Sequence, residues 1–421
     1  MSDTTAPSND HSRRSRLPLI LIAGTAAIVL GLLLCDSVIG AQWRRARAEF
    51  LARLAADELK TTARPCLLDG AVPGESWREW ADVLARIDTS KLESLDEVLS
   101  GARAPTDHED LDSVLASYAT ELERLVQGAR RSEGRCPADP KFQQEVGDRA
   151  LAAVALGRLA ITTAERRFAR GEVDDALELL LASLQFARDL GDGAPLIDGA
   201  VGGVVVERSG VAIRTWLADA RFTAAHRRSL DKALGVLDTS WPHPGEMVRA
   251  ESMWMAEQVG LARDQVPACD VLDVRRLALW RELFSTRLAV VGWWDTASML
   301  EDAVQTSADD DWRSASDRYA GVVATISSPL ARMLSSPISH ADQIVRTARA
   351  RLRLLRGAIS FTLHEDLPAL VDPFTLAPLR RDESATRLRL WSLGEDGSDQ
   401  GGKGWLVEPQ DEKDIAIEVT R

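Results

Sequence analysis

The most restrictive feature of this sequence is a stretch of 19 residues without a charge, from Leu17 to Cys35. A helix rises 1.5 Å per residue, so a helix of this length crosses the roughly 30 Å of hydrocarbon in a bilayer. The sequence therefore predicts a transmembrane anchor at residues 17–40. The rest of the chain must then fold in water beside the membrane.

The charges around this segment predict its orientation. A polar tail, residues 1–16, ends in the arginine cluster Arg13–Arg16, whereas Asp36 follows the segment directly and Arg44 is the first arginine after it. Positively charged residues next to a span stay on the cytoplasmic side. We expect a single-pass, signal-anchored protein of a bacterial inner membrane, with its bulk on the periplasmic, extracytoplasmic side.

Three other interpretations of Leu17–Cys35 compete with an anchor. A cleaved signal peptide has an apolar stretch of about 7 to 15 residues, shorter than this one, although Ile39-Gly40-Ala41 resembles a cleavage site. A lipoprotein signal requires a small residue before the cysteine, where this chain has Leu34. A buried core helix would not need the adjacent arginine cluster. Whether the anchor stays attached after export is left open.

Net charge limits the class of partner. The formal charge is −13 at pH 7, whereas binding to nucleic acid requires clustered lysine and arginine on a basic surface. We therefore expect no nucleic-acid partner. The hydrophobic content of 45% is sufficient for folded cores, which excludes disorder throughout the chain.

Residues 41–363 have apolar side chains at three- and four-residue spacing, with breaks at proline, glycine and aspartate. Such stripes must be buried against one another, which predicts an all-α domain with a possible subdivision near residues 241–245. Three stripes are Phe50, Leu51, Leu54 and Leu59; Trp77, Trp80, Val83, Leu84 and Ile87; and Leu111, Val114, Leu115, Tyr118, Leu122 and Leu125.

Two apolar helices within Leu151–Leu190 are predicted to form a helical hairpin. Gly171 supplies the turn, and acids such as Asp174 place negative charge at the N-terminus of the second helix, where the helix dipole favours it. The hairpin resembles one tetratricopeptide unit, with the small Ala164 and Ala176 at the close-approach positions. No second copy occurs at a fixed period, so ordinary bundle packing is the alternative.

Three later features also have structural interpretations. The glycines in the apolar run Leu196–Val206 lack the lysine of a phosphate loop, which favours close helix packing. Thr223 is predicted to cap a helix through Leu237, and Asp309–Asp311 to mark a solvated helix start. Further helices are predicted at residues 246–263, 271–291, 294–304 and 338–356.

The cysteines and histidines form no recognisable metal or catalytic motif. Cys66 and Cys136 each follow a helical stretch, so they are candidates for a disulfide outside the cytoplasm, with two unpaired thiols as the alternative. Cys35 and Cys269 are the other cysteines. A hydrolase-like site assembled from distant acids and histidines is the alternative to a protein that acts through its helical surfaces. Its candidate residues are His226, His243, Glu246 and Glu251.

The composition changes after about Leu363, which predicts a small β module at residues 364–421. Prolines interrupt helix there, whereas Arg387–Trp391 and Ile415–Val419 alternate as strands do. The loop Ser392–Gly402 between them carries carboxylates and glycines, which suit a hard cation with oxygen ligands.

This module resembles the C-terminal end of type II secretion major pseudopilins. The resemblance is carried by Asp372-Pro373-Phe374, Pro378-Leu379, Leu390-Trp391-Ser392-Leu393-Gly394-Glu395-Asp396-Gly397, Gly401-Gly402 and Asp414-Ile415. In that family the loop binds calcium. The resemblance implies that the Leu393 carbonyl and the carboxylates of Asp396 and Asp414 are Ca²⁺ ligands, with Asp399 as a further candidate.

The chain also departs from that family. Lys413 precedes Asp414 where the family tends to have an acid, and the loop is longer by Lys403–Gln410. Asp399, Asp411 or Glu412 are possible substitutes, and a hairpin loop without metal is the alternative. The N-terminus lacks the prepilin pattern. As a whole the chain resembles membrane-anchored helical bacterial proteins without an assigned activity, and we expect a protein partner in the cell envelope.

Overall fold

A computed structural model describes most of the chain beyond residue 63. The described residues are 38, 41, 45, 48, 49, 64–95, 98–99, 111–136, 146–251, 254, 299–300, 302–304, 306, 310–326, 340–402 and 414–420. Contacts divide the chain into two compact units, one of residues 1–58 and 262–294, the other of residues 59–261 and 295–421. In the first unit Arg45 pairs with Glu49 one helical turn later, at 2.7 Å.

The second unit is mainly helical and carries a small antiparallel sheet near its C-terminus, as predicted. Its described helices are α1 Ser76–Leu84, α2 Leu111–Ser117, α3 Ala119–Ala129, α4 Val146–Ala169, α5 Val173–Leu190, α6 Leu196–Leu217, α7 Ala224–Ser240, α8 Trp312–Thr325 and α9 His340–Thr362, with a 3-10 helix at Thr89–Leu95. The strands are β1 Val72–Glu75, β2 Arg131–Glu133, β3 Arg380–Glu383, β4 Arg387–Ser392 and β5 Ile415–Thr420. Residues 244–251 are also helical.

The core of this unit lies between long helices. α5 packs against α4 and α6, while α9 packs against α6 and α7. α1 and α3 pack against each other, and α3 also contacts α5. The predicted stripe Trp77–Ile87 is buried throughout, and the stripe from Leu111 is buried except at Val114. The apolar spacing therefore identified the buried faces of these helices correctly.

The predicted helical hairpin is formed by α4 and α5. Gly171 lies in the turn with φ +87°, a backbone conformation that favours glycine. Ala164 and Ala176 are fully buried. Asp174 and Asp175 lie in the first turn of α5, where the helix dipole stabilises negative charge.

Glycines in α6 allow close packing, as predicted. A Cβ atom on Gly202 would overlap the backbone oxygen of Ala187 in α5, and one on Gly199 would overlap the sulfur of Met247. A Cβ on Gly203 would meet nothing within 4 Å. Two of the three glycines thus have a packing reason, and Gly203 has none.

Both predicted helix starts are present. The Thr223 side chain accepts a hydrogen bond from the backbone N–H of His226 at the start of α7, which continues to Ser240 instead of ending at Leu237. The Asp311 carboxylate accepts the backbone N–H of Ser314 at 3.1 Å at the start of α8. This hydrogen bond lowers the pKa of Asp311.

The C-terminal sheet has the strand order β3-β4-β5 and is antiparallel, with Leu390 opposite Ile417. The two predicted strands correspond to β4 and β5. β3 was not predicted because its sequence, Arg380–Glu383, is charged throughout and exposed. The sheet packs on α9, where a Cβ on Gly357 would overlap the Leu390 side chain.

Among the described residues, no helix is both long and apolar enough to cross a membrane. Leu17–Cys35 lies outside these residues, as do the stripe Phe50–Leu59 and the predicted helix at 271–291. Cys66 and Cys136 are not bonded to each other, so the disulfide considered above is not formed. The Cys66 thiol donates instead to the backbone oxygen of Leu68, at 3.1 Å.

Candidate functional site

Buried charges concentrate where α5 ends. Asp189 is fully buried and accepts hydrogen bonds from Arg64 at 2.6 Å and from Arg188 at 2.7 Å. Burial raises the pKa of Asp189, and the two guanidinium groups oppose that rise. A Cβ on Gly134 would overlap both Arg64 and Asp189, so this residue must lack a side chain. Arg188 also pairs with Asp192 at 2.7 Å, so the arrangement is a charge-balanced ion-pair cluster that joins the segment at Arg64 to α5.

A second buried pair lies at the start of α6. Asp198 is fully buried and pairs with Arg149 of α4. Nearby, the Glu251 carboxylate accepts the backbone N–H of Leu196 at 3.0 Å and so satisfies a donor of the first turn of α6. Burial, reinforced by the charge of Asp198, raises the pKa of Glu251 to about 6. These carboxylates hold helix ends in place.

The residues of the hydrolase alternative lie at two ends of the bundle. His226 Nε2 is 3.0 Å from Asp174 Oδ1 at the start of α5, whereas Arg188, near the end of α5, donates to the Ser240 oxygen at the end of α7. Fourteen residues of helix separate Asp174 from Arg188, which is about 20 Å. Glu251 contacts Leu196 at the start of α6. Because α6 follows α5 in the chain, Glu251 lies at the same end of the bundle as Arg188.

The other two residues of this alternative also have hydrogen-bond or ion-pair partners. His243 Nδ1 accepts the backbone N–H of Gly245 at 3.1 Å, and Glu246 pairs with Arg135 at 2.9 Å. The fold therefore does not bring His226 together with Glu246 or Glu251. Its closest described partner is Asp174.

The C-terminal loop contains the residues that the pseudopilin resemblance implies as calcium ligands. The backbone N–H of Leu393 donates to the buried Asp372 at 3.0 Å. Asp396 accepts from the Gln400 side-chain amide at 3.0 Å, and Asp399 accepts from the indole N–H of Trp391 at 3.1 Å.

Asp414 is the least satisfied member of this group. Its Oδ2 accepts the backbone N–H groups of Gln400 and Gly402, at 3.0 and 2.9 Å, but its buried Oδ1 has no hydrogen-bond partner among the described residues. Burial raises the pKa of Asp414, and the nearby Asp399 and Asp396 reinforce that rise. A cation at this position would supply the missing partner for Oδ1 and offset the repulsion between the carboxylates.

The described side chains by themselves do not complete a metal site. Within the part of the chain that the structure describes, no three His, Cys, Asp or Glu side chains lie close enough together to hold a metal ion. Asp411 and Glu412, the other candidate ligands, lie outside that part.

The central role of Asp372 was not predicted from the sequence. Its carboxylate accepts hydrogen bonds from the Ser392 hydroxyl at 2.7 Å, the Phe374 N–H at 2.9 Å and the Leu393 N–H. These contacts connect the turn before β3 to the end of β4. The turn pattern Asp372-Pro373-Phe374 was recognisable, but its partners lie about 20 residues later and only the fold brings them close.

An open cleft of about 440 Å³ lies between the first half of α5 and the middle of α7. We call it the α5–α7 cleft; the segment Cys66–Asp69 and Arg130 close its other side. Its floor is apolar and consists of Leu68, Leu177, Leu181 and Ala233. Its rim carries exposed side chains of both charge signs and the partly exposed Cys66. This exposure distinguishes the cleft from the buried ion pairs described above.

Two other described clefts are less suited to binding. One of about 350 Å³ lies between α1 and the start of α4, and its one cation, Arg149, already pairs with Asp198. The other, about 450 Å³, lies between the end of α6 and β5 and is lined by few residues. None of the three clefts is lined by His226, His243, Glu246 or Glu251.

Comparison of the chain with protein-family models, with curated proteins and with solved structures finds no match.

The cleft was not predicted from the sequence. Leu67, Leu177 and Val236 belong to three separate segments, and each has the spacing of an ordinary core residue. One signal was available: acids occur at successive positions, Asp174 and Asp175, where an apolar helix begins. That signal predicted a helix start and did not distinguish it from the rim of a binding surface.

Proposed function

We propose that this chain is a membrane-tethered, extracytoplasmic protein that acts by binding another protein of the cell envelope. The observation that carries the proposal is the α5–α7 cleft, which combines an apolar floor with exposed charged side chains on an open surface. Apolar clefts with a few polar groups are typical of binding sites. The resemblance of the C-terminus to major pseudopilins favours an envelope or secretion assembly as the setting.

The membrane location rests on Leu17–Cys35 and on the arginine cluster that precedes it. Protease added to intact spheroplasts tests the orientation. We expect digestion of the domain without lysis and protection of a short N-terminal fragment. The mass of the mature chain from membranes shows whether residues 1–41 are retained. A domain that resists protease until the cells are lysed would place the bulk of the chain in the cytoplasm.

Capture of partners from crosslinked membranes tests the interaction itself. The tagged full-length chain is crosslinked in cells and purified after detergent extraction, and the proteins that copurify are compared with those captured by an unrelated single-pass protein of similar abundance. We expect at least one partner that recurs in independent preparations. Failure to recover any recurrent partner would contradict the proposed function.

We propose as a second activity that the C-terminal loop binds Ca²⁺, which would be held by the Leu393 carbonyl and the carboxylates of Asp396, Asp399 and Asp414. Among the described residues the buried Oδ1 of Asp414 has no hydrogen-bond partner, which favours this activity over a loop without metal. Calcium would there neutralise adjacent carboxylates and hold the loop against β4 and β5.

Melting of the full-length chain in added Ca²⁺ or in chelator tests this activity. Binding to the folded state raises the melting temperature in proportion to the logarithm of the Ca²⁺ concentration above its dissociation constant. Mg²⁺ at the same concentration is the control for ionic strength. Identical melting in Ca²⁺, Mg²⁺ and chelator would remove the metal assignment.

A further inference from the structure

We infer that the α5–α7 cleft binds a basic, amphipathic segment of a partner protein, one that presents an apolar side chain flanked by lysine or arginine. This inference rests on the proposed function and specifies the chemistry of its partner. It follows from the floor, the rim charges and the net charge of the chain.

The floor of the cleft accepts an apolar group. Leu177 and Leu181 lie one turn apart on α5, and Ala233 and Val236 lie one turn apart on α7. These faces do not close against each other at the surface, and the gap of about 440 Å³ has room for one or two large side chains. Apolar surface on either side of a gap favours an apolar occupant, because burial removes both surfaces from water.

The rim of the cleft favours positive charge. Four carboxylates line it, Asp69, Asp174, Asp175 and Glu178, against two cations, Arg130 and Lys232. Arg130 pairs with Glu178, which cancels one charge of each sign. Asp69 and Asp175 are exposed and have no ion-pair partner among the described residues. The remaining excess of negative charge, at the edge of an apolar floor, matches a basic segment.

The same charges disfavour other occupants. An anion would meet the excess carboxylates of the rim. A second copy of this chain is itself strongly acidic, with a formal charge of −13. Charge complementarity therefore selects a basic partner segment.

Cys66 provides a built-in reporter for occupancy. It lines the cleft and is partly exposed, whereas Cys136 is buried and its burial raises the pKa of its thiol, so it reacts slowly. The rate at which N-ethylmaleimide modifies Cys66, followed by mass spectrometry of the peptide that contains it, measures access to the cleft. Cys136 in the same sample reports whether the fold is intact.

The test uses the purified full-length chain in a zwitterionic detergent and two synthetic helical peptides. One contains leucine and lysine, and the other has the same pattern of leucine and glutamate. We expect the leucine–lysine peptide to slow the modification of Cys66 at least fivefold, and the leucine–glutamate peptide to leave it unchanged. Protection should weaken as salt rises, because the rim charges are exposed.

Variants locate the peptide in the cleft. Ser229 is exposed on the cleft wall, so Ser229→Trp should fill the cleft and abolish protection, whereas Ala224→Trp, exposed on another face of the same helix, should not. Asp69→Asn with Asp175→Asn should weaken peptide binding about three- to tenfold, the effect of two exposed ion pairs. Glu123→Gln with Asp317→Asn removes two exposed acids elsewhere and should have no effect.

Three outcomes would overturn the inference: no protection by the leucine–lysine peptide, equal protection by both peptides, or protection that Ser229→Trp does not affect. The Ser229→Trp variant can also be used in the capture from cells. If it recovers the same partners as the natural chain, the cleft is not their binding site, and the proposed function still stands. An absence of any recurrent partner would contradict the proposed function, while peptide protection would still be measured independently.

Discussion

Two groups of carboxylates in the described part of this chain have opposite charge environments. At the end of α5, Asp189 is buried with two arginines as partners, Arg64 and Arg188. In the C-terminal loop, Asp414 accepts backbone N–H groups and has two further acids, Asp396 and Asp399, as neighbours. With Asp192, which also pairs with Arg188, the first group balances two guanidinium groups with two carboxylates, and it stabilises the fold. The second has excess negative charge, which is what a cation requires.

Removal of the Asp189 carboxylate is expected to have the largest effect. Asp189→Ala leaves the Arg64 side chain, only 3% exposed, without its carboxylate partner, while Arg188 keeps its ion pair with Asp192. The free energy of unfolding should fall by about 3–5 kcal/mol, because uncompensated buried charge is costly. Urea denaturation measures the change, with the exposed Asp317→Asn as control. A loss below about 1 kcal/mol would show that water reaches this cluster.

The C-terminal loop should respond to metal where the α5 cluster does not. If Ca²⁺ binds, a concentration of about 100 times its dissociation constant should stabilise the fold by about 2.7 kcal/mol. Asp414→Asn should remove that gain, and Asp382→Asn, exposed on β3, should retain it. Calorimetric melts in Ca²⁺ and in chelator measure both. Equal gains in the two variants would contradict the ligand role of Asp414.

Close packing of α6 on α5 keeps the buried pairs away from water. Gly202→Ala should destabilise the fold by about 1–3 kcal/mol, since its Cβ would overlap the backbone oxygen of Ala187, which has little freedom to move. Gly203→Ala is the matched control. It has open space and should stabilise the helix by about 0.5–1 kcal/mol. We expect the two substitutions to change the free energy of unfolding in opposite directions, as measured by urea denaturation. Equal changes would refute the packing argument.

Glu251 should make stability depend on pH in the opposite direction to a salt-bridged acid. Its pKa is raised from 4.5 to about 6 in the fold, so the folded state binds the proton more tightly than the unfolded state. This contribution is present below about pH 4.5 and is lost as pH rises through about 6, a change of about 2 kcal/mol.

Glu251→Gln tests this dependence. The variant should gain stability relative to the natural chain as pH rises from 4.5 to 7, because its amide remains neutral and can accept the Leu196 N–H. Glu123→Gln, exposed on α3, is the control and should leave the pH profile unchanged. Thermal melts across this range measure the difference. Parallel profiles for the natural chain and Glu251→Gln would mean that Glu251 does not titrate in this window.

Local features predicted much of the fold. Apolar spacing predicted α1, α4 and α5, and Thr223 and Asp311 marked helix starts because their caps act within four residues. Alternation predicted β4 and β5. β3 was missed because it lies at the edge of the sheet with every side chain in water, so no alternation is required of it.

The sequence by itself determined a mainly helical chain, the positions of its caps and turns, and a small β element at its end, since these follow from side chains a few residues apart. Tertiary structure alone decided the partners of the charged residues. Arg64 and Asp189 are 125 positions apart, and Asp372 and Ser392 are 20 positions apart. The cleft likewise exists only where separate segments fail to close against one another. Local interactions act between residues that are close in sequence. The pairing of distant charges, their burial away from water and the formation of a cleft depend instead on distances that only the folded chain sets.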